Sequence, residues 1–415
     1  MSPSTIGPTI CIVGGGFGGL YTALYLQKYR HLRHSRILLI EPEDRFLFTP
    51  MMYELITDEL QAWEIAPTYT SLIAGTNIIW KQSRAKALDL IEQKVTTDED
   101  ESFLYDYLVV AKGAKGRPVE ILGVDEHALT FRSLEDALML KARLDQLIQA
   151  RLLQLACEPI RVTVIGGGPS GVELSGKVSD YCASKLGAGK LPLADHVQVT
   201  LIERGETILK PFEKKLRRLG QQAIARRQIK VLTETSVLKV SADSVTVHAV
   251  KDANGQNSKV LPSQLTLWAV GTQPRDWIGA QRVAHNDRGQ RLTRRSLQLL
   301  DHDNVFVLGD GADVRSADKK PAPDTAQAAF QAASQVAANL AAMTRGRSPQ
   351  PFNYLHLGDM LTLGIGDAGL WSFGLTMGGR LAAMVRRLVY IFRMPTRRHQ
   401  IKVARRALRE WLSPN

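Results

Sequence analysis

Hydrophobic and polar residues follow one another along the chain in blocks that predict alternating strands and helices. Residues 9–13 form an apolar run that passes into a glycine loop and then into a helical pattern ending near residue 30. A second apolar run occupies residues 37–40, and residues 77–110 have the spacing of several short strands. Strands that alternate with helices in this way predict an α/β fold with parallel sheets and crossover helices.

The glycine loop after the first strand has the spacing of a dinucleotide-binding site. Gly14, Gly16 and Gly19 supply a sharp turn, close approach of the backbone to a pyrophosphate, and tight packing of helix on strand. The helix that follows offers the unpaired N–H groups of its N-terminus to the phosphates. Glu41 ends the second apolar run, where a carboxylate binds ribose hydroxyls. A glycine-rich turn with an incidental acid is the alternative, and it does not explain this order of elements.

A second copy of the pattern begins at residue 160. The apolar run 160–165 leads into Gly166, Gly168 and Gly171, and Glu173 lies on the first turn of the next helical pattern. The spacing of the glycines matches that of the first loop. Two such loops predict two bound dinucleotides.

The ribose-binding acid of the second unit is expected at Glu203, which closes the apolar run 197–202. Glu203 lies farther from its glycine loop than Glu41 lies from the first loop. We attribute the difference to an inserted loop at residues 185–195. A carboxylate at this position repels a 2′-phosphate and therefore favours NADH. The neighbouring Arg204 keeps NADPH open as an alternative.

A late strand returns the chain to the first unit. Residues 304–308 are apolar and lead into Gly309 and Asp310, and residues 324–343 are rich in Ala and Gln with helical spacing. We therefore expect the second unit to be inserted into the first.

The C-terminal stretch has two amphipathic helical patterns separated by a proline. Residues 380–409 contain nine Arg, one Lys and no acid. An apolar face beside an arginine-rich face is typical of a helix that lies in the membrane interface and binds anionic headgroups. A basic helix packed on the protein itself or on a partner subunit is the alternative. Nucleic acid is disfavoured because no aromatic-rich binding module accompanies the charge.

The two faces of these patterns follow from a turn of about 100° per residue. The expected apolar faces comprise Leu381, Met384, Val385, Leu388, Ile391 and Phe392, then Ile401, Ala404, Leu408, Trp411 and Leu412. The expected polar faces comprise Arg380, Arg386, Arg387 and Arg393, then Lys402, Arg405, Arg406 and Arg409.

Composition narrows the class of protein. A chain of 415 residues, 44% of them hydrophobic, indicates two or three domains with ample core. The net charge of +12 requires an anionic partner. Cys11, Cys157 and Cys182 form no CxxC pair, so we expect neither disulfides nor a metal site. We expect no spanning helix, since no apolar run reaches about 18 residues, and no signal peptide, since the first strand accounts for the apolar N-terminus.

Together these motifs resemble the type II NAD(P)H:quinone oxidoreductases, single-subunit flavoproteins with two dinucleotide-binding domains. The resemblance spans nearly the whole chain, and the paired glutamines near residue 330 are its most discriminating feature. The motifs that carry it are GGGFGG at 14–19, FTPMMYE at 48–54, YDYLVVAKG at 105–113, GGGPSGVE at 166–173, FVLGD at 306–310 and AQAAFQ at 326–331.

The resemblance implies FAD at the first loop and NADH or NADPH at the second. It implies an FAD-binding domain at 1–125 and 276–350, an inserted NAD(P)H-binding domain at 126–275 and a membrane-associating region at 351–415. The expected cofactor-binding residues are Gly14, Gly16, Phe17, Gly18, Gly19, Glu41, Thr49, Pro50, Lys112, Gly113, Gly166, Gly168, Pro169, Ser170, Gly171, Glu203, Gly271, Gly309, Asp310 and Ala326.

Three residues have implied catalytic roles. In this family the glutamate that matches Glu173 faces the nicotinamide and flavin, so the resemblance implies that Glu173 orders the nicotinamide or helps to deliver protons to the quinone. Its alternative is an acid that only stabilises the helix dipole. Gln327 and Gln331 are spaced i, i+4 and so share a helical face, which in the family lies at the quinone pocket. Their alternative is a polar stripe on an Ala-rich helix.

The sequence departs from the family pattern at two places. Lys112 replaces the usual Thr of an Ala-Thr-Gly motif and adds a cation near the cofactors. Leu357 occupies a position where many relatives have a lysine, so a lysine contact to flavin or quinone is absent there. These departures and the basic tail resemble the cyanobacterial and plastid branch associated with reduction of demethylphylloquinone or related naphthoquinones.

The resemblance therefore implies a peripheral membrane enzyme that reduces a membrane quinone by two electrons without pumping protons. Its surface at 380–412 would bind an anionic membrane, either thylakoid or plasma, from the cytoplasmic or stromal side. A homodimer is possible on the same resemblance. Disulfide and sulfide:quinone reductases need cysteines that this chain lacks after Cys182. A reductase of a protein acceptor such as ferredoxin and a membrane-bound redox sensor are the remaining alternatives.

Overall fold

The computed structural model describes residues 7–153, 158–187, 195–252, 257–315 and 321–412. Cys157 and most of the predicted inserted loop at 185–195 lie outside these residues.

The strands are β1 (Thr9–Val13), β2 (Arg36–Ile40), β3 (Ile78–Lys81), β4 (Ala85–Asp89), β5 (Lys94–Thr97), β6 (Ser102–Leu104), β7 (Tyr107–Val110), β8 (Ala114–Gly116), β9 (Ala128–Leu129), β10 (Ile160–Ile165), β11 (Val197–Ile202), β12 (Lys230–Leu232), β13 (Thr235–Val240), β14 (Ser244–Ala249), β15 (Lys259–Pro262), β16 (Leu265–Trp268), β17 (Thr272–Pro274), β18 (Arg291–Leu292), β19 (Val305–Val307), β20 (Ala312–Asp313), β21 (Asp359–Gly364), β22 (Asp367–Ser372) and β23 (Leu375–Gly378). The helices are α1 (Phe17–Leu26), α2 (Tyr53–Ile56), α3 (Ala62–Ile65), α4 (Tyr69–Ile73), α5 (Val124–His127), α6 (Leu134–Leu152), α7 (Pro169–Lys185), α8 (Lys214–Arg226), α9 (Ala326–Met343), α10 (Gly379–Arg393) and α11 (Arg397–Leu412).

Two five-stranded sheets with parallel pairing organise the chain. The first has the order β19-β7-β1-β2-β3 and the second has the order β12-β11-β10-β16-β9. Their central strands, β1 and β10, are almost wholly buried because helices cover both faces of a parallel sheet. The α/β fold with two Rossmann-like units is therefore confirmed.

The first sheet draws strands from both sides of the second sheet in sequence. Strands β1, β2, β3 and β7 precede the second sheet, while β19 follows it and pairs in parallel with β7 through Val305 and Leu108. This is the strand order that an inserted second unit produces. The domain boundaries themselves stay a prediction.

Local sequence explains where α7 and α9 begin, the two helices that contain Glu173 and Gln327. Pro169 opens α7, where its missing N–H has no cost and its fixed φ suits a helix. Helix α9 begins after Thr325, whose hydroxyl accepts the N–H of Ala328 at 3.2 Å. Phe330 of α9 then packs edge-on against Tyr21 of α1 with ring centroids 4.8 Å apart. The late helix is thereby fixed to the helix that follows the first glycine loop.

The C-terminal region differs from its sequence pattern in two respects. Residues 359–378, for which the sequence pattern predicts no element, form the antiparallel sheet β21-β22-β23. The two amphipathic helices follow, as expected. Along the described residues, no helix combines the length and the apolar character needed to cross a membrane.

Two arginines of the expected lipid-facing surface point inward instead. Arg386 is only 4% exposed and pairs with Glu54, and Arg406 pairs with the fully buried Glu64. Their assignment to a headgroup-binding face was wrong, because burying a carboxylate requires a cation and the tail helices supply it. The apolar residues Leu388 and Phe392 remain exposed, the latter at 74%.

Candidate functional site

The first glycine loop has the geometry of a pyrophosphate cradle. Gly14 adopts φ of 100°, and a Cβ there would overlap the carbonyl oxygen of Ala111. A Cβ at Gly19 would overlap the carbonyl oxygen of Gly14, so α1 can approach the loop only with glycine there. At Gly16 an added Cβ would meet no described atom within 4 Å. The loop is tight on its protein side and open on the side that a phosphate would occupy.

Glu41 closes this cradle from the end of β2. Its Oε2 accepts the N–H of Gly15 at 2.6 Å and its Oε1 accepts the N–H of Glu43 at 3.1 Å. Burial raises the pKa of Glu41, while these two N–H groups act in the opposite direction. An open loop beside a carboxylate at this position fits the pyrophosphate and ribose of FAD.

The second glycine loop repeats this geometry. Gly166 has φ of 112°, and a Cβ at Gly171 would overlap the carbonyl oxygen of Gly166. Glu203 accepts the N–H of Gly167 at 2.7 Å and the N–H of Gly205 at 2.5 Å. Gly168 is open to the same extent as Gly16. The donor set therefore fits a second dinucleotide.

The two units meet at one large cavity of about 780 Å³, which we call the central cavity. The starts of α1 and α7 both reach it. Its wall contains the predicted residues Phe17, Thr49, Pro50, Pro169, Ser170, Glu173, Asp310, Ala326 and Gln327. The other predicted cofactor residues lie in the two glycine loops, at the ends of β2 and β11, and in the turns after β7, β16 and β19. A cavity of this size at the junction of two dinucleotide loops fits a flavin ring beside a nicotinamide.

The turns that border the central cavity differ in how they present their side chains. Gly309 has φ of 72° and directs the chain so that Asp310 lines the cavity. Burial, with the charge of Asp324, raises the pKa of Asp310. Gly113 and Gly271 also have positive φ.

Lys112 points away from the central cavity, which Ala114 and Lys115 line instead. Its ammonium donates to the carbonyl of Asp276 at 2.9 Å. Burial and the charge of Arg275 lower the pKa of Lys112 to about 8. Lys112 therefore places its amino group beside Asp276, which lies between β16 of the second sheet and β19 of the first. A contact of Lys112 with a cofactor stays a prediction.

Gln327 and Gln331 hydrogen-bond residues 354–358, a segment that lines part of the central cavity. Gln327 accepts the hydroxyl of Tyr354 and the N–H of Leu357, both at 2.9 Å, and its Nε2 donates to the carbonyl of Gly358 at 3.2 Å. Gln331 is not among the cavity-lining residues; it exchanges two hydrogen bonds with the backbone of Leu355, at 2.8 and 3.0 Å. Gln327 is thus placed at the cavity, and Gln331 one turn behind it.

Glu173 lies buried in the cavity wall, on the first turns of α7. Its Oε1 accepts the N–H of Thr362 at 2.9 Å, and the guanidinium of Arg386 lies 3.9 Å away. The hydroxyl of Tyr53 hydrogen-bonds the same carboxyl group. Burial raises the pKa of Glu173 to about 7, and Arg386 and the Thr362 N–H limit that rise. A carboxyl group with this pKa changes its protonation state near neutral pH.

Several residues around Glu173 were not identified from sequence. Tyr53 and Glu54 were read only as part of a motif, and Lys177, Thr362 and Arg386 were given no role in the site. Lys177 is 1% exposed in mid-helix, which is rare for lysine unless it is paired. A signal existed for Arg386, since it lies four residues from both Ala382 and Tyr390 and so shares a helix face with them.

Comparison with known proteins agrees with this geometry. Residues 8–333 match the family described as pyridine nucleotide-disulphide oxidoreductase. The chain is 40% identical to demethylphylloquinone reductase NdbB of Synechocystis, over 98% of both chains. It is 31% identical to alternative NAD(P)H-ubiquinone oxidoreductase C1, chloroplastic/mitochondrial, of Arabidopsis thaliana, covering 97% of this chain and 80% of that one.

Solved structures extend the comparison of the fold. The structure of NDH2 from Plasmodium falciparum in complex with NADH superposes with a TM-score of 0.84 at 18% identity, covering 95% of this chain and 96% of that one. A sulfide:quinone oxidoreductase from Aquifex aeolicus superposes with a TM-score of 0.74 at 22% identity, covering 92% and 91%. At these identities the likeness concerns the fold.

Proposed function

The chain belongs to the pyridine nucleotide-disulphide oxidoreductase family and, within it, to the type II NAD(P)H:quinone oxidoreductases, and we propose that its natural substrate is a membrane naphthoquinone. It is an FAD-dependent enzyme that oxidises NAD(P)H and reduces a quinone by two electrons. The observation that carries the proposal is that both dinucleotide loops, Glu173 and Gln327 converge on one cavity. The 40% identity to a demethylphylloquinone reductase over nearly the whole chain supports a naphthoquinone.

We assign the first glycine loop, Glu41 and Asp310 to FAD, and the second loop with Glu203 to the nicotinamide dinucleotide. Bound FAD supplies the redox chemistry, since it accepts a hydride and returns two electrons to the quinone. In the net reaction NAD(P)H and one proton convert the quinone to the quinol. The protein aligns the two partners in the central cavity and shields them from solvent.

Glu173 and Gln327 have separate tasks in this proposal. The carboxyl group of Glu173, with a pKa raised by burial to about 7, exchanges its proton near neutral pH and faces the central cavity, where a quinone oxygen needs a proton. Gln327 hydrogen-bonds the 354–358 segment and thereby sets the width of the cavity beside the quinone. Gln331 supports the same segment from behind.

The tail helices provide a surface suited to a membrane. Exposed apolar residues lie along α10 and α11, namely Leu381, Met384, Leu388, Phe392, Ile401, Leu408 and Leu412. Exposed cations flank them, namely Arg380, Arg397, Arg398, Arg405 and Arg409. Such a surface inserts its apolar side chains among acyl chains while the cations contact anionic headgroups.

We propose that this surface docks the enzyme as a peripheral protein on the cytoplasmic or stromal face of a thylakoid or plasma membrane, from which a lipid-soluble quinone enters. The homodimer stays a prediction beside it.

Anaerobic stopped-flow spectroscopy tests the proposed reaction. The FAD-loaded protein is mixed with NADH or NADPH and then with a soluble naphthoquinone, and the flavin absorbance is followed. We expect fast bleaching followed by fast recovery, and faster recovery with a naphthoquinone than with a ubiquinone analogue. Recovery with ubiquinone alone would refute the naphthoquinone, and bleaching without recovery by any quinone would indicate a protein acceptor or a sensor.

A further inference from the structure

A buried cluster of charged side chains joins three separate parts of the chain behind the central cavity. Glu54 of α2, Lys177 of α7 and Arg386 of α10 are 6%, 1% and 4% exposed. Arg386 pairs with Glu54, and Lys177 lies 3.8 Å from the same carboxylate. Lys177 also pairs with Glu59 at the edge of the cluster. Ionised groups are this deeply buried only when they are paired.

Arg386 lies between two carboxylates. Its Nη1 donates to Glu54 Oε1, its Nη2 donates to the carbonyl of Pro50 at 2.6 Å, and Nη2 lies 3.9 Å from Glu173 Oε1. The guanidinium also stacks over the ring of Tyr390, 4.9 Å from its centroid. The side chain is held from several directions, so its position relative to Glu173 is defined by the fold.

The charges of the cluster do not balance when every group is ionised. Among the residues that the structure describes, Lys177 and Arg386 are the cations that pair with Glu54, Glu59 and Glu173. Burial opposes ionisation of Glu54, but the charges of Arg386 and Lys177 outweigh it and lower the pKa of Glu54. The cluster is therefore neutral when Glu173 is protonated, and the charge of Arg386 influences how tightly Glu173 binds that proton.

The cluster also separates two cavities. Glu54, Thr362 and Arg386 line a groove of about 650 Å³ whose outer walls are the tail helices α10 and α11. Glu173, Tyr53 and Tyr390 line the central cavity on the other side. Leu388 and Phe392 of the same helix also line this groove, and both are exposed. Helix α10 thus contributes both exposed apolar residues of the proposed membrane surface and the cation beside Glu173.

We propose that Arg386 is a positioning residue for quinone reduction. It lies on α10, pairs with Glu54 and faces Glu173. It thereby couples the packing of α10 against the protein to the carboxyl group that faces the central cavity. This inference rests on the proposed function only for its effect on turnover. Its direct consequence, the proton affinity of Glu173, is measurable without quinone.

The groups that face Glu173 set the expected pH dependence. They are Tyr53 and Glu54 from α2 and Arg386 and Tyr390 from α10, and the same cavity wall contains Arg393 of α10 and Asp359 of β21 with its partner His356. Lys177, one turn along α7, acts through its pairing with Glu54. Removing a cation raises the pKa of a neighbouring carboxyl group, and removing an anion lowers it. Arg386→Met and Glu54→Gln must therefore shift Glu173 in opposite directions.

The experiment is an infrared pH titration of the FAD-loaded oxidised protein, following the carbonyl stretch of protonated carboxyl groups. The band that Glu173→Gln removes is assigned to Glu173. We expect Arg386→Met to raise its midpoint by about one pH unit or more, Glu54→Gln to lower it, and Arg386→Lys to stay close to the wild type. In stopped flow, the limb at which flavin reoxidation slows with rising pH should move with the infrared midpoint.

Arg227→Met is the matched control, because Arg227 is also largely buried between two carboxylates, Asp180 and Asp367, but does not contact Glu173. It should leave the midpoint unchanged. If Arg386→Met does not fold, the double variant Arg386→Met with Glu54→Gln removes the pair together, and its midpoint must lie above that of Glu54→Gln alone. An unchanged midpoint in either comparison overturns the proposal. A wild type that quinone fails to reoxidise would refute the proposed function and leave this test standing.

Discussion

Glu203 accepts the backbone N–H of Gly167 at 2.7 Å, and this contact sets a carboxylate directly against the second glycine loop. Glu41 and Gly15 have the same relationship at 2.6 Å in the first loop. In each unit the acid ends the second strand of its sheet. The repeated contact places a carboxylate at the same position in both units, and we expect each carboxylate to bind a ribose.

Glu203→Ala should weaken discrimination between the two nicotinamide nucleotides. The carboxylate binds ribose hydroxyls and repels a 2′-phosphate, so its loss should lower kcat/KM for NADH by about tenfold, the equivalent of roughly one charged hydrogen bond. The value for NADPH should fall less or rise. Glu206→Ala, an exposed acid nearby, is the control. Equal losses for NADH and NADPH in Glu203→Ala would contradict the assignment.

Gly19→Ala and Gly171→Ala should separate the two cofactors. In each case the new Cβ would overlap a carbonyl oxygen of its own loop, that of Gly14 or of Gly166. We expect Gly19→Ala to lose FAD, measured as flavin absorbance per chain. Gly171→Ala should retain FAD and bind NADH at least about tenfold more weakly, the effect of roughly 1.4 kcal/mol. Loss of FAD from both variants would show that the second loop also holds the flavoprotein together.

The double variant Gln327→Ala with Gln331→Ala should slow one half-reaction only. Both side chains hydrogen-bond the 354–358 segment beside the central cavity, and neither belongs to the second glycine loop. Reoxidation of the flavin by a naphthoquinone should therefore slow by about tenfold or more, within the range that positioning accounts for. Reduction by NADH should stay close to the wild-type rate. A similar loss in both half-reactions would point to damage of the fold.

The double variant Leu388→Asp with Phe392→Asp should abolish binding to vesicles that contain anionic lipid. Both side chains are exposed on α10, and a charge there cannot enter the acyl region. Turnover with a soluble quinone should persist, because neither residue belongs to the buried cluster. Ile91→Asp with Leu104→Asp, two exposed apolar residues outside the tail, is the control. Vesicle binding that survives the tail substitutions would refute the docking surface.

Deleting the tail is a poorer test than these substitutions. Truncation before Arg380 looks harmless from sequence, since the tail reads as a separate anchor. In the structure it would remove Arg386 and Arg406, which pair with Glu54 and Glu64, together with Ile391 and Val403, which are buried in the core. Loss of buried ion-pair partners and of buried apolar side chains costs several kcal/mol, so we expect the truncated chain to lose stability as well as membrane binding.

Glu173→Gln should change how stability depends on pH. The pKa of Glu173 is raised from 4.5 in the unfolded chain to about 7 in the folded protein, so between these values the folded state binds the proton more tightly. The free energy of unfolding therefore falls as pH rises through this window, by on the order of 3 kcal/mol for this group. The melting temperature of Glu173→Gln, relative to the wild type, should rise across the window. A constant difference would show that burial does not raise this pKa.

Much of the fold and half of the site follow from local sequence. Strand, glycine loop, helix and acid recur at 9–41 and 160–203, and each step depends on periodicity or on glycine spacing within one segment. Gly19 and Gly171 pack as the spacing predicts. The pairing of Glu41 with Gly15 follows as well, because parallel neighbouring strands bring the end of one strand to the start of the next loop.

The environment of Glu173 could not be predicted in this way. Tyr53, Thr362 and Arg386 come from segments up to 333 positions apart in sequence, and nothing local specifies that they meet. The orientation of α10 shows why. Its amphipathic pattern defines two faces, but which face turns inward depends on the partner, and Glu54 draws Arg386 into the core.

By itself, the sequence determined that this protein has two dinucleotide units, one inserted in the other, and a basic amphipathic tail. These are consequences of residue spacing along the chain. Only the tertiary structure decided that the tail contributes a buried cation to the carboxyl group at the central cavity. Burial of Glu54 and Glu173 creates a demand for positive charge that Lys177 meets only in part, and a helix more than 200 residues farther along supplies the second cation.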